Sequence, residues 1–320
     1  MLAEQILTIA RQIGTPKALS TAHNQQGNSR YYLGDLIVAR QHFLLSIEHY
    51  HKEDFTGGGN LLDPGVASFA WAGANEWMLG YPDQALRYTN DARALARRLN
   101  NPFAVTYVDA VGLFTDGWRG DFARVRAAAQ EAKRLGTELG FPLFSAGGKF
   151  LDAWGRVHLG ELSGALDSMR AALTELDAFK FYLHRGYNLS VIAETQALAG
   201  AIDDAIVTVE QAVEANPDEL YSRVLAIRMR GELRLRSDAS DTARVQLAEQ
   251  DFREAVEVAR KISAKSLELR ATMSLARMLR DTNRRDQARA MLAEIYNWFT
   301  EGFDTADLKE AQGLLDELSG

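Results

Sequence analysis

The sequence predicts an all-α fold, a right-handed superhelical solenoid of antiparallel helix pairs, with about seven units of roughly 40 residues and a C-terminal capping helix. Three observations predict it. Gly80, Gly120, Gly160 and Gly200 stand forty residues apart, each behind a stretch with helical character. Five positions after them come Ala85, Val125, Ala165 and Ala205, where a glycine-ended helix turns back and the returning helix needs close approach. Pro102 and Pro142 repeat the same interval and Pro217 closes the next unit. Two periodic breakers per unit mean two helices per unit.

Taken from the start, Ala10-Arg11-Gln12-Ile13-Gly14-Thr15-Pro16 reads like Ala96-Arg97-Arg98-Leu99-Asn100-Asn101-Pro102, the end of a second helix. A helix from about Leu2 to Ile13 is therefore expected to lack its first-helix partner, making residues 1–16 a partial repeat. The expectation is a piece of a longer protein, or one whose upstream part lies on another chain. Leu33-Gly34-Asp35, with Ala39 and Phe43, opens the regular repeats over residues 20–217. Phe55 to Pro64 is a connector by composition; its triple glycine lacks the strand, lysine and hydroxyl residue of a phosphate loop. Gly147-Gly148-Lys149 fails the same test, because Leu143 and Phe150 stand where glycine and a hydroxyl residue are required.

Leu162, Ala165, Leu166, Met169, Leu173 and Leu176 form one apolar stripe, and Ile206, Val209, Ala212 and Val213 repeat it. After Pro217 the repeats loosen, over residues 218–300. Leu235 to Ala243 is small and polar, which lengthens a turn. Ala248, Phe252 and Ala255 mark a later unit, Leu267, Ala271, Leu275, Met278 and Leu279 rebuild a stripe, and Asn283, Ala288 and Leu292 fit a last unit. Asp304 or Thr305 can cap a final helix over residues 304–318, whose Leu308, Ala311, Leu314, Leu315 and Leu318 face one side and cover the end of the stack. Residues 1–320 are accordingly expected to form a single repeat domain rather than the two that their length would suggest.

The glycine, alanine and bulky positions resemble the tetratricopeptide repeat, with helices longer than its usual unit of about 34 residues. A narrower resemblance rests on Lys265-Ser266-Leu267-Glu268-Leu269-Arg270-Ala271, on Ser274-Leu275-Ala276-Arg277, and on the run from Trp298 to Ala311. Leu79 to Leu86 and Gly231-Glu232-Leu233 add to it. Together they resemble the C-terminal region of bacterial multidomain signalling proteins, which join a class III adenylate or guanylate cyclase, a kinase or a DNA-binding domain to a predicted signal-transduction ATPase and then to tetratricopeptide repeats. The resemblance implies a sensor or scaffold. It carries over no catalysis, because nothing here looks like a cyclase's metal-binding aspartates or an ATPase's phosphate loop.

Composition excludes further classes. A net charge of -7 leaves no nucleic-acid footprint, and the basic cluster of Arg223, Arg228, Arg230, Arg234 and Arg236 is interrupted by Glu232 and reads as a solvated face. The absence of cysteine removes disulfides, thiolate catalysis and cysteine-ligated metal. No apolar run approaches the roughly 20 residues that span a bilayer and no signal-peptide pattern opens the chain, so the expectation is a cytoplasmic location. His42 and His49 share a helix face, whereas His49 and His51 point about 200 degrees apart, a surface cluster rather than a metal site. No nucleophile with a recognisable base emerges. The chain is expected to be no enzyme and to need no cofactor or metal.

Function is expected in a groove. The first helix of each pair should line the concave side, which nominates Asn28, Tyr31, Trp77, Tyr107, Trp118, Trp154, His158, Tyr187 and Glu194, with Arg228, Glu232 and Arg277 toward the far end. Aromatic anchors beside polar groups suit an extended peptide or a small organic ligand. The expected partner is a protein or peptide, the absent ATPase or cyclase domains among the candidates; the alternative is a small-molecule sensor whose ligand changes the curvature. Nucleic acid and membrane are not expected partners.

Overall fold

Proline begins many of the helices, because at the first helical position its missing N–H costs nothing and its fixed φ is already helical. Pro16, Pro64, Pro82, Pro102 and Pro142 all stand there. Thr15, Asp63 and Asn101 precede three of them and accept hydrogen bonds from the exposed backbone N–H groups of the first turn.

The computed structural model describes residues 2–55, 62–237 and 241–319. Its helices are α1 (Leu2–Ile13), α2 (Pro16–Tyr32), α3 (Leu36–Glu48), α4 (Pro64–Leu79), α5 (Pro82–Arg98), α6 (Pro102–Trp118), α7 (Phe122–Glu138) and α8 (Pro142–His158). There follow α9 (Ala165–Ala178), α10 (Arg185–Leu198), α11 (Ile202–Ala215), α12 (Leu220–Ser237), α13 (Thr242–Lys261), α14 (Lys265–Asp281), α15 (Arg285–Tyr296) and α16 (Ala306–Ser319). Lys52–Phe55 forms one 3-10 turn, and no strand occurs among the described residues. Most of the glycine-rich connector and the centre of the polar turn after Ser237 lie outside the described residues.

The predicted turns are present. Gly80, Gly120, Gly160 and Gly200 have φ of 92°, 83°, 87° and 84°, the left-handed region that glycine enters without a Cβ penalty. A second left-handed series, Asn100, Gly140 and Lys180, ends the second helices at the same spacing. At the last hairpin Asn283, with φ of 60°, takes the glycine's place.

The chain divides into two compact units, Met1–Asp152 and Ala153–Gly320, with the division inside α8. In the first, α2 pairs with α3, α4 with α5 and α6 with α7; in the second, α10 pairs with α11, α12 with α13 and α14 with α15. Two of the pairs, α2 with α3 and α12 with α13, close on a first-helix glycine that receives a second-helix phenylalanine. A Cβ on Gly27 would lie 2.6 Å from the Phe43 ring, and one on Gly231 would lie 2.6 Å from Phe252. Both phenylalanines are fully buried, each contributing roughly 1.5–3 kcal/mol by leaving water.

The apolar stripes hold with one correction. Ala165, Met169, Leu173 and Leu176 are buried, but Leu162 is 39% exposed and precedes the helix. Gly164, left-handed with φ of 66°, starts α9 three residues later than the spacing suggested, and Ala172 takes a buried place in its stripe. α16 buries Leu308, Ala311, Leu314 and Leu318, with Leu315 half-buried beside them. Thr305 donates its hydroxyl to the Gly302 carbonyl.

Within each unit the first helices stand closer together than the second helices. α2 packs on α4 and α4 on α6; in the other unit α10 packs on α12, α12 on α14, and α14 on α16. Among the described residues, no two consecutive second helices make a comparable contact. Rows that touch on one side and separate on the other curve toward the touching side, so each unit has an inner face made by its first helices.

Candidate functional site

In unit Met1–Asp152 the inner face is aromatic. The indoles of Trp77 on α4 and Trp118 on α6 stack with centroids 4.4 Å apart and planes 24° from parallel. Trp71, one and a half turns before Trp77, meets Tyr31 at 5.1 Å and Tyr32 at 5.4 Å, and its Nε1 donates to the Tyr107 hydroxyl at 2.5 Å. One layer of rings thus joins α2, α4 and α6. Such pairs add about 0.5–1.5 kcal/mol each beyond area burial. Tyr31, Trp77 and Trp118 are buried, while Asn28 and Tyr107 are half-buried at the surface of the layer. Asn28 donates to Asn24 Oδ1 at 3.4 Å, and Asn24 donates to Ser68 at 2.9 Å, a polar seam between α2 and α4. Burial pushes the Tyr107 phenol up to about 12, with the Trp71 hydrogen bond acting the other way, so it stays neutral.

Behind the rings, buried acids in the last turns of α4 and α6 hold arginines of the second helices. Arg40 binds Glu76 at 2.7 Å; Arg93, 5% exposed, binds Asp116 at 2.6 Å, and Arg124 reaches the same carboxylate at 3.0 Å. Breaking such a buried pair by removing one partner leaves a charge without compensation.

In unit Ala153–Gly320 the inner face is mostly ionic. Trp154 sits edge-on to Tyr187 at 6.1 Å and to His158 at 5.7 Å. His158 Nε2 lies 3.7 Å from Glu194 Oε2, linking α8 to α10. Burial pushes the Glu194 carboxyl up, yet the hydrogen bond and charge of His158, with Arg228 and Arg270, outweigh it and leave the group below its ordinary value. Arg228 binds Glu232 at 2.5 Å, and Ser274 of α14 donates to Glu232 at 2.8 Å. Arg270 binds Asp307 at 2.7 Å and Arg277 binds Glu310 at 2.5 Å, fastening α14 to α16.

The structure therefore groups the expected residues into two sets. Tyr31, Trp77, Tyr107 and Trp118 share one aromatic layer beside Asn28; Trp154, His158, Tyr187 and Glu194 converge with Arg228 and Glu232. Arg277 sits against α16. Trp71 and Tyr32 were missed, although Trp71 lies near the register of Trp77 and Tyr32 adjoins Tyr31. A further polar group went unseen: the His184 ring bonds the Tyr221 hydroxyl, which donates to Glu219 at 2.5 Å, and Glu219 also accepts from Asn216 at 2.7 Å. Among the described residues no three histidine or carboxylate side chains are placed to hold a metal, and no helix is long and apolar enough to cross a membrane.

With the paired helices and the inner faces established, the fold is a tetratricopeptide-like helical repeat, shared with solved proteins of very different sequence. A Rap protein complexed with Competence and Sporulation Factor is 10% identical, with 99% of this chain and 80% of that chain covered and a TM-score of 0.64. The apo form of RapI is 11% identical, with 92% and 98% covered and a TM-score of 0.54. Yeast Tom70 is 14% identical with a TM-score of 0.51; 99% of this chain is covered, but it spans only 57% of that one. At these identities the likeness is one of fold. No protein-family model matches the sequence, and no curated protein matches it.

Proposed function

We propose that the chain is a non-catalytic interaction scaffold that binds a protein or peptide partner on the inner faces of its first helices, and that it serves as the sensor region of a bacterial signalling ATPase or cyclase. The observation that carries the reading is the packing asymmetry: first helices touch one another, so each unit presents an inner face, with Asn28 and Tyr107 half-buried on one, and Glu194 half-buried beside the exposed His158 on the other. Aromatic and arginine side chains contribute disproportionately to binding when a partner excludes water from them. The Rap protein in complex with Competence and Sporulation Factor supports it as a case in which this fold holds a partner. The signalling context rests on the motifs at residues 265–277 and 298–311.

The test is retention of a purified signalling ATPase or cyclase chain by the immobilised protein. Asn28→Lys in one unit and Glu194→Lys in the other, with unchanged circular dichroism, should each weaken retention. Full retention by both variants would exclude these faces. A second reading, a small-molecule sensor, is favoured by the convergence of Trp154, Tyr187, His158 and Glu194 on one point of the second unit. Saturable heat with a purified metabolite, abolished by Glu194→Lys, would select it.

A further inference from the structure

The seam between α2 and α3 is joined at three levels. Ser20 Oγ donates to the Ser46 carbonyl at 3.0 Å, and Ser46 Oγ returns the bond to the Ser20 carbonyl at 2.7 Å. About a turn along, His23 Nδ1 meets His42 Nδ1 at 2.8 Å, and the His49 ring stacks on His23 with centroids 5.9 Å apart. Another turn along, Phe43 lies on Gly27. The histidines thus sit between two tight contacts, and His23 is 5% exposed.

Two imidazole Nδ1 atoms at that distance need one hydrogen between them. A neutral pair provides it, and so does a pair with a single charged ring. Two imidazolium rings would set hydrogen against hydrogen and charge against charge. The surrounding groups sharpen the conflict. Arg11 from α1 and Arg30 from α2 add positive charge, and His49, just past the end of α3, acts on His23 in the same sense; Asp35, at the head of α3, opposes them at His42. Glu4 of α1 is engaged with Arg30 at 3.1 Å.

We propose that the His23–His42 contact is an acid-released latch between α2 and α3, closed while at most one of the two rings is charged and open once both are. Burial, then the charges of His42, His49 and Arg11, pushes His23 down to about 4 from its ordinary 6.5, and burial lowers His42 as well. A lowered folded-state value means that the contribution is complete above the unfolded value and is lost as pH falls toward the folded one. The window for His23 therefore runs from about 6.5 down to about 4. α2 also carries Asn28 and Tyr31, so opening would disturb that inner face, but the latch stands whether or not the face binds anything.

Amide hydrogen exchange of the full chain, corrected for the intrinsic rate, should show at least about a tenfold loss of protection across residues 20–46 between about pH 7 and about pH 4. His42→Gln keeps a hydrogen-bonding group opposite His23 and cannot become charged, so its loss should be clearly smaller. Equal loss in both proteins, or none in either, would overturn the latch. Should His42→Gln already lack protection at neutral pH, the imidazole titration of His23 in the unaltered chain decides by NMR. Titration well below the ordinary value supports the latch, and titration at the ordinary value ends it.

Discussion

The two units solve one packing problem with different chemistry. In Met1–Asp152 the first helices are joined by rings, Tyr31 on Trp71, Trp71 to Tyr107 and Trp77 on Trp118, with ion pairs kept behind them. In Ala153–Gly320 the first helices share apolar packing, Ala193 with Met229 and Leu269 with Leu308 among it, and the side chains that join them across the inner face are polar and charged, His158 to Glu194, Glu232 to Ser274, and Arg270 and Arg277 to Asp307 and Glu310. Ring contacts follow area and shape and respond little to salt. Ion pairs near the surface are weak individually, screened by salt and exchangeable for a partner's charges. The difference teaches that a curved helical repeat needs some inner contact and not one kind of it, and that the second unit's contacts are the ones solution conditions can adjust.

The largest expected effect is at the ring contact. Trp77→Ala removes the stack with Trp118 and should cost about 3–5 kcal/mol in a urea titration, a loss insensitive to salt. A loss below about 1 kcal/mol would show that the aromatic layer does not hold the unit together and would break the comparison. Next comes acid sensitivity in the second unit. Burial holds the His184 imidazole below its ordinary value, with Glu219 opposing, so its contribution is present above the unfolded value of 6.5 and lost as pH falls. Protection of α10 and α12 should drop on acidification, and less so in His184→Gln; an identical pH profile in the two proteins would remove His184 as the cause.

A smaller effect is expected at the turn. A Cβ on Gly160 meets nothing within 4 Å, so substitution brings strain at φ of 87° without a clash. Gly160→Ala should therefore cost about 1 kcal/mol by calorimetry, the ordinary left-handed penalty. A much larger cost would mean that the turn touches something the geometry does not show. The smallest effect sharpens the comparison most. Raising NaCl from about 0.1 to about 1 M shortens the screening length from about 10 to about 3 Å and should raise exchange in α16 roughly two- to fivefold while leaving α4 and α6 unchanged. Equal responses would erase the distinction between the two inner faces.

How far the residues themselves announced this can be judged position by position. The glycine series was legible because left-handed backbone is a property of one residue, and glycine advertises it. The companion series was only half legible, because Asn100 and Lys180 adopt the same conformation behind ordinary side chains. The stripe through Leu162 overran its helix for a similar reason, since Gly164 reads as an ordinary spacer until its φ is known. His42 and His49 were visible as a pair on one face; His23, nineteen residues before His42, was not, because no local rule links the two positions.

By itself the sequence determined the helices, their pairing and their repeat, since breakers, caps and apolar spacing act over a few residues and depend on the chain's own stereochemistry. The tertiary structure alone decided which rings stack, which acids hold which arginines and which imidazoles share a proton. Those choices join positions about twenty to forty residues apart, where the energy depends on distance and burial, and neither is written in the order of the residues.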